Sequence, residues 1–268
     1  MNIAELYSYR KADSQWNTSY PLSPKDWEPF RVKSFLDFKD EDKLSFYIHI
    51  PFCKQLCSFC EYTRMICPDE VTQKKYLATI LSDIEKFKEQ NSSFKLVGFD
   101  IGGGTPTALS EGNFDMLMDI YGQALSNLTV SDDYEPSVEG TFQTLSVRKL
   151  RSLVKREILR LSLGVQTSCN EVLGLHNRHT VQIEEMKQWM IKAWEAGVSK
   201  INLDLMYGLK GQNSFTIDED LIVIETLRPQ QVTLYELRTN MLRAYKDRTK
   251  HELFDMYKQY YDGLVGMD

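Results

Sequence analysis

The sequence lacks the features that mark several large classes of protein. No apolar run approaches the roughly 18 residues that a transmembrane helix needs, so no membrane span is expected. Residues 1–19 are polar and carry acidic side chains, which does not fit a secretory signal peptide. There is no internal repeat and no low-complexity tract, which excludes repeat architectures and collagen-like chains.

Positive charge is also in short supply. The chain has 32 Lys and Arg against 38 Asp and Glu, a formal net charge of −6. This balance argues against a broad surface for nucleic acid or for an anionic membrane. The 42% of hydrophobic and 26% of charged residues are typical of a folded protein, and 268 residues allow one large domain or two small ones.

Cysteine is scarce but concentrated. Of five cysteines, three lie close together at Cys53, Cys57 and Cys60. An odd number without a secretion signal does not predict a disulfide framework, so a metal or redox site is expected in a reducing compartment, the cytoplasm. Three thiolates can hold three irons of a [4Fe–4S] cluster and leave the fourth iron open. The alternative is zinc with a remote fourth ligand such as His49 or Cys67, although zinc sites favour paired two-residue gaps.

Short β-rich runs alternate with helical patterns after an extension, residues 1–43, whose aromatic side chains are expected to pack on the main domain at 44–268. Strict alternation predicts parallel strands with right-handed crossovers, either in a doubly wound open sheet or in a full or partial barrel. Residues 263–268 are interpreted as the start of one more strand. Strands are predicted at 44–50, 94–101, 135–139, 159–165, 200–206 and 231–237, and helices at 71–90, 111–125, 144–155, 183–196, 214–227 and 250–261.

Chemistry-bearing residues follow the predicted strands. The cysteine run comes after the first strand and a glycine run at 102–107 after the second, while Glu139, Gln166 and Asp204 lie at or near the ends of the next three. The carboxyl ends of parallel strands share one edge, so these residues are expected to form one site. The glycine run lacks the Lys-Ser or Lys-Thr of a phosphate loop, and its glycines permit close backbone approach to a ligand.

The motif C-x3-C-x2-C, with Phe59 before its last cysteine, resembles the radical S-adenosylmethionine (SAM) superfamily. The longer string YIHIPFC at 47–53 is similar to one branch, which contains oxygen-independent coproporphyrinogen III oxidase, haem chaperones and class C radical SAM methyltransferases. Four further strings agree in order and spacing with that branch: GGGTPT at 102–107, SLGVQ at 162–166, NRHT at 177–180 and DLMYGL at 204–209.

The resemblance implies an α/β fold, a partial (β/α)6 barrel, without the C-terminal domain that covers the barrel mouth in relatives. It implies a [4Fe–4S] cluster on Cys53, Cys57 and Cys60, and one or two SAM molecules. Glu139 would accept hydrogen bonds from SAM hydroxyl groups, with Glu135 as a competitor, and no further catalytic residue is assigned. The cofactor-binding residues implied are Tyr47, Phe59, Gly103, Gly104, Thr105, Glu139, Gln166, Arg178, Asp204 and Arg238, of which Gln166, Arg178 and Asp204 match a second SAM site.

The implied function is reductive cleavage of SAM to a 5′-deoxyadenosyl radical that removes hydrogen from a substrate side chain, as in oxygen-independent coproporphyrinogen III oxidase. The alternatives are a class C methyltransferase and a haem chaperone that transfers haem without oxidising a porphyrin. The substrate is expected to be porphyrin-like or another anionic metabolite, met by basic residues such as Arg64. A reductant such as flavodoxin or ferredoxin is implied, and Cys67 and Cys169 are left as structural cysteines, reactive thiols or a fourth ligand.

Overall fold

The computed structural model describes residues 38, 42–91, 93–237 and 248–267. Six parallel strands form one sheet: β1 (Lys43–Ile50), β4 (Lys95–Gly103), β5 (Thr129–Gly140), β6 (Arg160–Gln166), β7 (Lys200–Tyr207) and β8 (Gln231–Glu236). Two short strands, β2 (Phe52–Cys53) and β3 (Met65–Ile66), pair separately. The helices are α1 (Glu70–Gln90), α2 (Glu111–Leu125), α3 (Val147–Lys155), α4 (Asn170–Leu175), α5 (Ile183–Ala196), α6 (Ser214–Leu227) and α7 (Lys250–Val265), with 3-10 turns at Pro106–Ala108 and Phe142–Thr144.

The strand order decides between the two predicted closures. The order β1-β4-β5-β6-β7-β8 follows the chain, so each new strand is added on the same side of the one before. A doubly wound sheet would reverse direction at a switch point, which this order does not contain. The sheet is therefore an open, partial (β/α)6 barrel with parallel strands, as predicted.

The two faces of the sheet differ in polarity. Alternate residues of a strand point to opposite faces. One set is apolar and buried, and it packs with the helices into a single hydrophobic core: Ile48, Ile50, Phe99, Ile101, Leu161, Leu163, Ile201 and Leu203. The other set lines the inner face and is mostly polar: Tyr47, His49, Asp100, Ser137, Glu139, Ser162, Asn202, Asp204 and Thr233. The core thus lies outside the barrel, and the interior is left for polar chemistry.

Several predicted boundaries are confirmed because local signals fix them. The helices at 111–125, 183–196 and 214–227 match α2, α5 and α6. Asn213 caps α6 by accepting hydrogen bonds from the backbone of Phe215 and Thr216. Gly197 ends α5 in the left-handed region, at φ +107°, where glycine has no steric penalty.

Other boundaries are wrong in instructive ways. The third strand spans Thr129–Gly140 rather than 135–139, because Thr129 and Val130 already pair with Lys95 and Leu96, ahead of a register shift that ends at Glu135. The following helix begins at Val147 rather than at 144, because the Ser146 side chain accepts from Lys149 N–H and caps it there. Helix α4 was not predicted, since its single short turn and a half carries too few apolar positions to show a period.

The interpretation of residues 263–268 as the start of a strand is wrong. Helix α7 continues to Val265 and packs on α6. A side chain at Gly263 would collide with Leu221, so this glycine permits the close approach of the two helices. The hydroxyl of Tyr260 donates to Asp220 on α6 and accepts from Gln212 at 3.0 Å. Tertiary packing therefore extends the helix through a segment of weak helical propensity.

Most of the predicted extension, residues 1–43, lies outside the described residues. Phe38 is described, and it packs on the domain: its ring lies 6.0 Å from that of Phe87, and its N–H donates to Asn91 at 2.8 Å. Arg238 also lies outside the described residues. None of the helices in the described part has both the length and the apolarity to cross a bilayer.

Candidate active site at the carboxyl edge of the sheet

The three clustered cysteines lie on the loop that follows β1. Cys53 and Cys57 are buried and Cys60 is partly buried, and all are free thiols. The Cys60 N–H donates to the Cys57 carbonyl at 3.3 Å, and the Thr105 hydroxyl lies 3.7 Å from the Cys53 sulfur. Burial raises the pKa of the Cys53 and Cys60 thiols, and the neighbouring cysteines add to this effect. The loop therefore gathers three soft donors in a sheltered place.

The spacing of these donors bears on which metal group they fit. Across the residues that the structure describes, no three His, Cys, Asp or Glu side chains converge on a single ion position. Tetrahedral zinc needs such convergence, with sulfurs about 2.3 Å from one ion. A [4Fe–4S] cluster places each cysteine on a separate iron and needs no common point. Three cysteine thiols on one short loop are the type of donor that an iron–sulfur cluster uses, so the chemistry of this donor set fits such a cluster.

The glycine segment, Gly102 to Gly104, lies between the cysteine loop and Glu139. Backbone N–H groups of Gly104 and Thr105 donate to the carbonyls of Ile50 and Phe52, each at 2.8 Å. A Cβ atom would lie 2.5 Å from the Glu139 carboxyl carbon at Gly102, and 2.5 Å from the His49 ring at Gly103, whose φ is +111°. Because these positions carry no side chain, the backbone of the glycine segment lies in close contact with both Glu139 and His49.

Substitution at Gly104 is expected to disrupt this contact. In Gly104→Ala the new Cβ would lie 2.7 Å from the backbone carbon of Pro51, which cannot move without the cysteine loop. We expect a loss of about 1–3 kcal/mol in the free energy of unfolding, as for other overpacked sites, together with reduced iron loading. The matched control is Gly112→Ala on α2, where a Cβ meets nothing within 4 Å and alanine should stabilise the helix by about 0.5–1 kcal/mol. Chemical denaturation measures the free energy of unfolding of both variants, and iron analysis measures their iron content. Equal stability and equal iron content in the two variants would contradict the close contact of Gly104 with the cysteine loop.

Glu139 is the carboxylate that faces the glycine segment. It accepts from Gly103 N–H at 3.1 Å. Burial raises its pKa to about 7, helped by Asp204 and Asp100 and opposed by the Gly103 hydrogen bond. Its competitor Glu135 instead pairs with Lys200 at 3.0 Å at the amino ends of β6 and β7, away from the glycines. Only Glu139 of the two is placed to meet a ligand on the glycine segment.

Gln166, Arg178 and Asp204 are brought together around Gly164. Gly164 is paired in register with Asp204, and a Cβ on Gly164 would lie 3.0 Å from both the Arg178 guanidinium and the Gln166 amide. Asp204 accepts hydrogen bonds from Ser162 at 3.0 Å and from Asn202 at 2.8 Å, while burial raises its pKa. The bulge at Gly164 gives Gln166 a φ of +73°. These polar groups continue the site along the inner face.

Tyr47 and Phe59, both predicted to contact cofactor, have different surroundings. Tyr47 lies on the inner face and 54% of it is exposed, so it is not a core tyrosine. Its pKa is raised by partial burial and by the Glu139 carboxylate. Phe59 packs with a small apolar cluster that includes Cys169 and Leu209, and its ring lies 5.6 Å from that of His176. Contact of either residue with a cofactor stays a prediction.

Two buried basic residues that brace the site were not found by sequence reasoning. His176 is fully buried; its carbonyl accepts from Ser58 N–H at 2.9 Å and its Nε2 accepts from Lys210 N–H at 3.0 Å. The Lys149 ammonium donates to the carbonyls of Thr107 at 2.6 Å and Thr144 at 3.0 Å, which ties the turns after β4 and β5 together. The NRHT string pointed near His176, but nothing in the sequence marks Lys149.

Comparison with known proteins now decides the family. The sequence profile of the Radical SAM superfamily matches residues 47–222. The chain belongs to the Radical SAM superfamily. Members of this superfamily use a [4Fe–4S] cluster and SAM.

The radical SAM relatives include proteins of two functions. The chain is 32% identical to the heme chaperone HemW of Bacillus subtilis over 193 residues, which are 72% of this chain and 50% of the relative. It is 30% identical to the oxygen-independent coproporphyrinogen III oxidase of Escherichia coli over 238 residues, 87% of this chain and 51% of the relative. The chain thus spans about half the length of the curated relatives it matches.

A solved structure confirms the radical SAM architecture. The coproporphyrinogen III oxidase HemN from Escherichia coli superimposes with a TM-score of 0.75 at 26% identity, covering 85% of this chain and 54% of that one. The six-stranded parallel sheet in chain order is therefore the radical SAM core. The resemblance to this branch, first indicated by the motifs, is confirmed.

Proposed function

We propose that this chain holds a [4Fe–4S] cluster on Cys53, Cys57 and Cys60 and cleaves SAM reductively, in the manner of oxygen-independent coproporphyrinogen III oxidase. The observation that carries the proposal is the position of the glycine segment. Gly104 N–H donates to Ile50 at the end of β1, the next residue Thr105 donates to Phe52 at the start of the cysteine loop, and Gly103 N–H donates to Glu139. A ligand on this segment would lie beside the cysteine loop, whose thiolates would hold the cluster, and beside the carboxylate of Glu139.

The chain's own residues bind and orient, while the cofactors supply the hard chemistry. When bound, the reduced cluster and SAM together supply a radical that removes a hydrogen atom from the substrate. The three thiolates would hold iron. The glycine segment has no side chains, so a ligand can approach its backbone closely. The ionised Glu139 carboxylate accepts hydrogen bonds from ligand hydroxyl groups. Gln166, Arg178 and Asp204 offer donors and an acceptor to a second SAM molecule or to the substrate.

The test is anaerobic product analysis. The chain is reconstituted with iron and sulfide, then given SAM and dithionite, and adenosyl products are followed by mass spectrometry. We expect 5′-deoxyadenosine from the wild type and none above background from Cys57→Ala. A fully loaded wild-type cluster that forms no more 5′-deoxyadenosine than this variant would overturn the proposal. S-adenosylhomocysteine beside 5′-deoxyadenosine would instead identify a methyltransferase.

A haem chaperone is the second candidate, favoured by the identity to the Bacillus subtilis HemW protein. Titration with haem separates the two functions. A stoichiometric shift of the Soret band, without oxidation of a porphyrin substrate, would support the chaperone. Absence of a saturable shift would leave the oxidase-like proposal.

The substrate and partners follow from the same proposal. The substrate class is porphyrin-like or another anionic metabolite, because Arg64 and Arg178 lie beside the cysteine loop. One electron must reach the cluster for each cleavage, so a small reductant such as flavodoxin or ferredoxin is required. Thiolate ligands need a reducing compartment, for which we propose the cytoplasm.

A further inference from the structure

One short segment, distant in sequence, holds the cysteine loop by side-chain hydrogen bonds. This clamp segment consists of His176, Asn177 and Arg178, between α4 and α5. Asn177 accepts from Gln55 Nε2 at 2.8 Å and donates to the Leu56 carbonyl at 2.9 Å. The His176 ring bonds the Ser58 hydroxyl at 3.1 Å. Three of the four loop residues 55–58 are thus held by Asn177 and His176.

Arg178 makes the contact of greatest chemical consequence. Its Nη1 donates to the Cys57 sulfur at 3.4 Å, and its Nη2 donates to the Gly164 carbonyl. The planar guanidinium is therefore fixed at both ends, with a positive charge directed at a cluster ligand. Arg64 also contacts Cys57, but it donates to the backbone carbonyl, at 2.9 Å, and not to the sulfur. Arg64 is therefore a suitable control for Arg178, since both carry a positive charge next to Cys57 but only Arg178 donates to its sulfur.

We infer that Arg178 sets the reduction potential of the cluster through its N–H···S hydrogen bond to Cys57. Hydrogen bonds to the sulfurs are among the features that set the potential of an iron–sulfur cluster. The reduced cluster carries one more negative charge than the oxidised cluster, so a cationic donor stabilises the reduced form more. Arg178 thereby makes the one-electron reduction easier. This inference rests on the proposed function, since it requires the cluster.

The direct test is a potentiometric titration of the reconstituted protein, monitored by electron paramagnetic resonance without SAM. We expect a more negative midpoint potential for Arg178→Gln than for the wild type. Arg64→Gln is the control: it removes a nearby charge but no bond to sulfur, so its shift should be smaller. An unchanged potential in Arg178→Gln contradicts the inference, and so does an equal shift in the two variants.

Gly164→Ala keeps the inference testable if Arg178→Gln fails to retain its cluster. Its Cβ would lie 3.0 Å from Nη2 of Arg178 and 3.0 Å from Nε2 of Gln166, so the guanidinium must shift by a few tenths of an ångström while its charge remains. We expect a shift in the same direction, and a wild-type potential in this variant would contradict the hydrogen bond. Failure of the wild type to bind a cluster would count against the proposed function instead. A wild type that loads and cleaves SAM, with unmoved potentials in the variants, contradicts this inference alone.

Discussion

Replacing any one of Cys53, Cys57 and Cys60 by alanine is expected to abolish the bound [4Fe–4S] cluster. In the proposed cluster each thiolate would hold a different iron, so the loss of one would leave an iron without its protein ligand. The loop cannot compensate by sliding. Thr105 N–H donates to Phe52 at the start of the loop, next to the bond from Gly104 N–H to Ile50 at the end of β1. The clamp segment holds residues 55–58.

The two remaining cysteines provide the matched controls. The Cys67 thiol donates to the Ala108 carbonyl at 3.4 Å, and Gln73 donates to its sulfur at 3.4 Å. The Cys169 thiol donates to the Glu171 carboxylate at 3.3 Å at the start of α4. Both sulfurs are engaged in local hydrogen bonds. We therefore expect Cys67→Ala and Cys169→Ala to keep the cluster.

Iron and sulfide analysis of the reconstituted proteins, with the visible absorption of the cluster, measures the result. The expected outcome is about four irons per chain in the wild type and both controls, and near-background iron in the three loop variants. A fully loaded Cys57→Ala protein would remove the ligand assignment. A loss of cluster in Cys67→Ala at unchanged stability would identify Cys67 as a ligand instead.

Much of the fold follows from patterns that are local in sequence. The alternation of strands and helices predicts parallel pairing, and the capping residues Asn213 and Gly197 fix two helix ends where the apolar pattern predicts them. The alternation of strands and helices could not decide between an open doubly wound sheet and a barrel, because strand order is a long-range property. The partial barrel was predicted from the resemblance of the motifs. The sequence patterns also failed at 129–130, where pairing with β4 determines the conformation, and at 263–265, where packing on α6 does.

The candidate site divides in the same way. The cysteines and glycines were found because their types and spacings are unusual by themselves. The bond from Arg178 to Cys57 joins residues 121 positions apart, and the buried Lys149 ammonium is satisfied by two backbone carbonyls. No local pattern records such contacts. Glu139 could be predicted only in part. The sequence places it at the end of a strand, but the choice between Glu139 and Glu135 required the pairing register of the strands.

Glu139→Gln is expected to change both the pH dependence of stability and the binding of SAM. The folded protein holds the pKa of this carboxyl group at about 7, chiefly by burial, above the ordinary value of 4.5. Between these two values the folded state retains a proton that the unfolded chain has lost. The contribution of Glu139 to stability is therefore fully present below about pH 4.5 and is lost as the pH rises through 7. Its size is at most about 3 kcal/mol.

Glutamine cannot ionise, so the variant should lack this decline. Denaturant titrations of the cofactor-free chain from pH 5 to pH 8 measure the difference between wild type and variant. His176, whose pKa burial lowers, titrates in both proteins and cancels in that difference. Asp204 interacts with Glu139, so the loss of that coupling in the variant is part of the measured difference. We expect the variant to gain stability relative to the wild type as the pH rises. If the free energies of unfolding of wild type and variant change with pH in parallel, the raised pKa of Glu139 is contradicted.

The same proton governs ligand binding. Hydroxyl donors of SAM bond more strongly to the ionised carboxylate than to the neutral acid, so binding to the wild type should tighten as the pH rises from 6 to 8. In Glu139→Gln we expect affinity to fall about 10–100-fold at pH 8, the value of a charged hydrogen bond, and its pH dependence to shrink. Glu135→Gln is the control, because Glu135 pairs with Lys200 away from the glycine segment. Anaerobic calorimetry on the loaded proteins measures both, and wild-type affinity in Glu139→Gln would exclude this carboxylate from the SAM site.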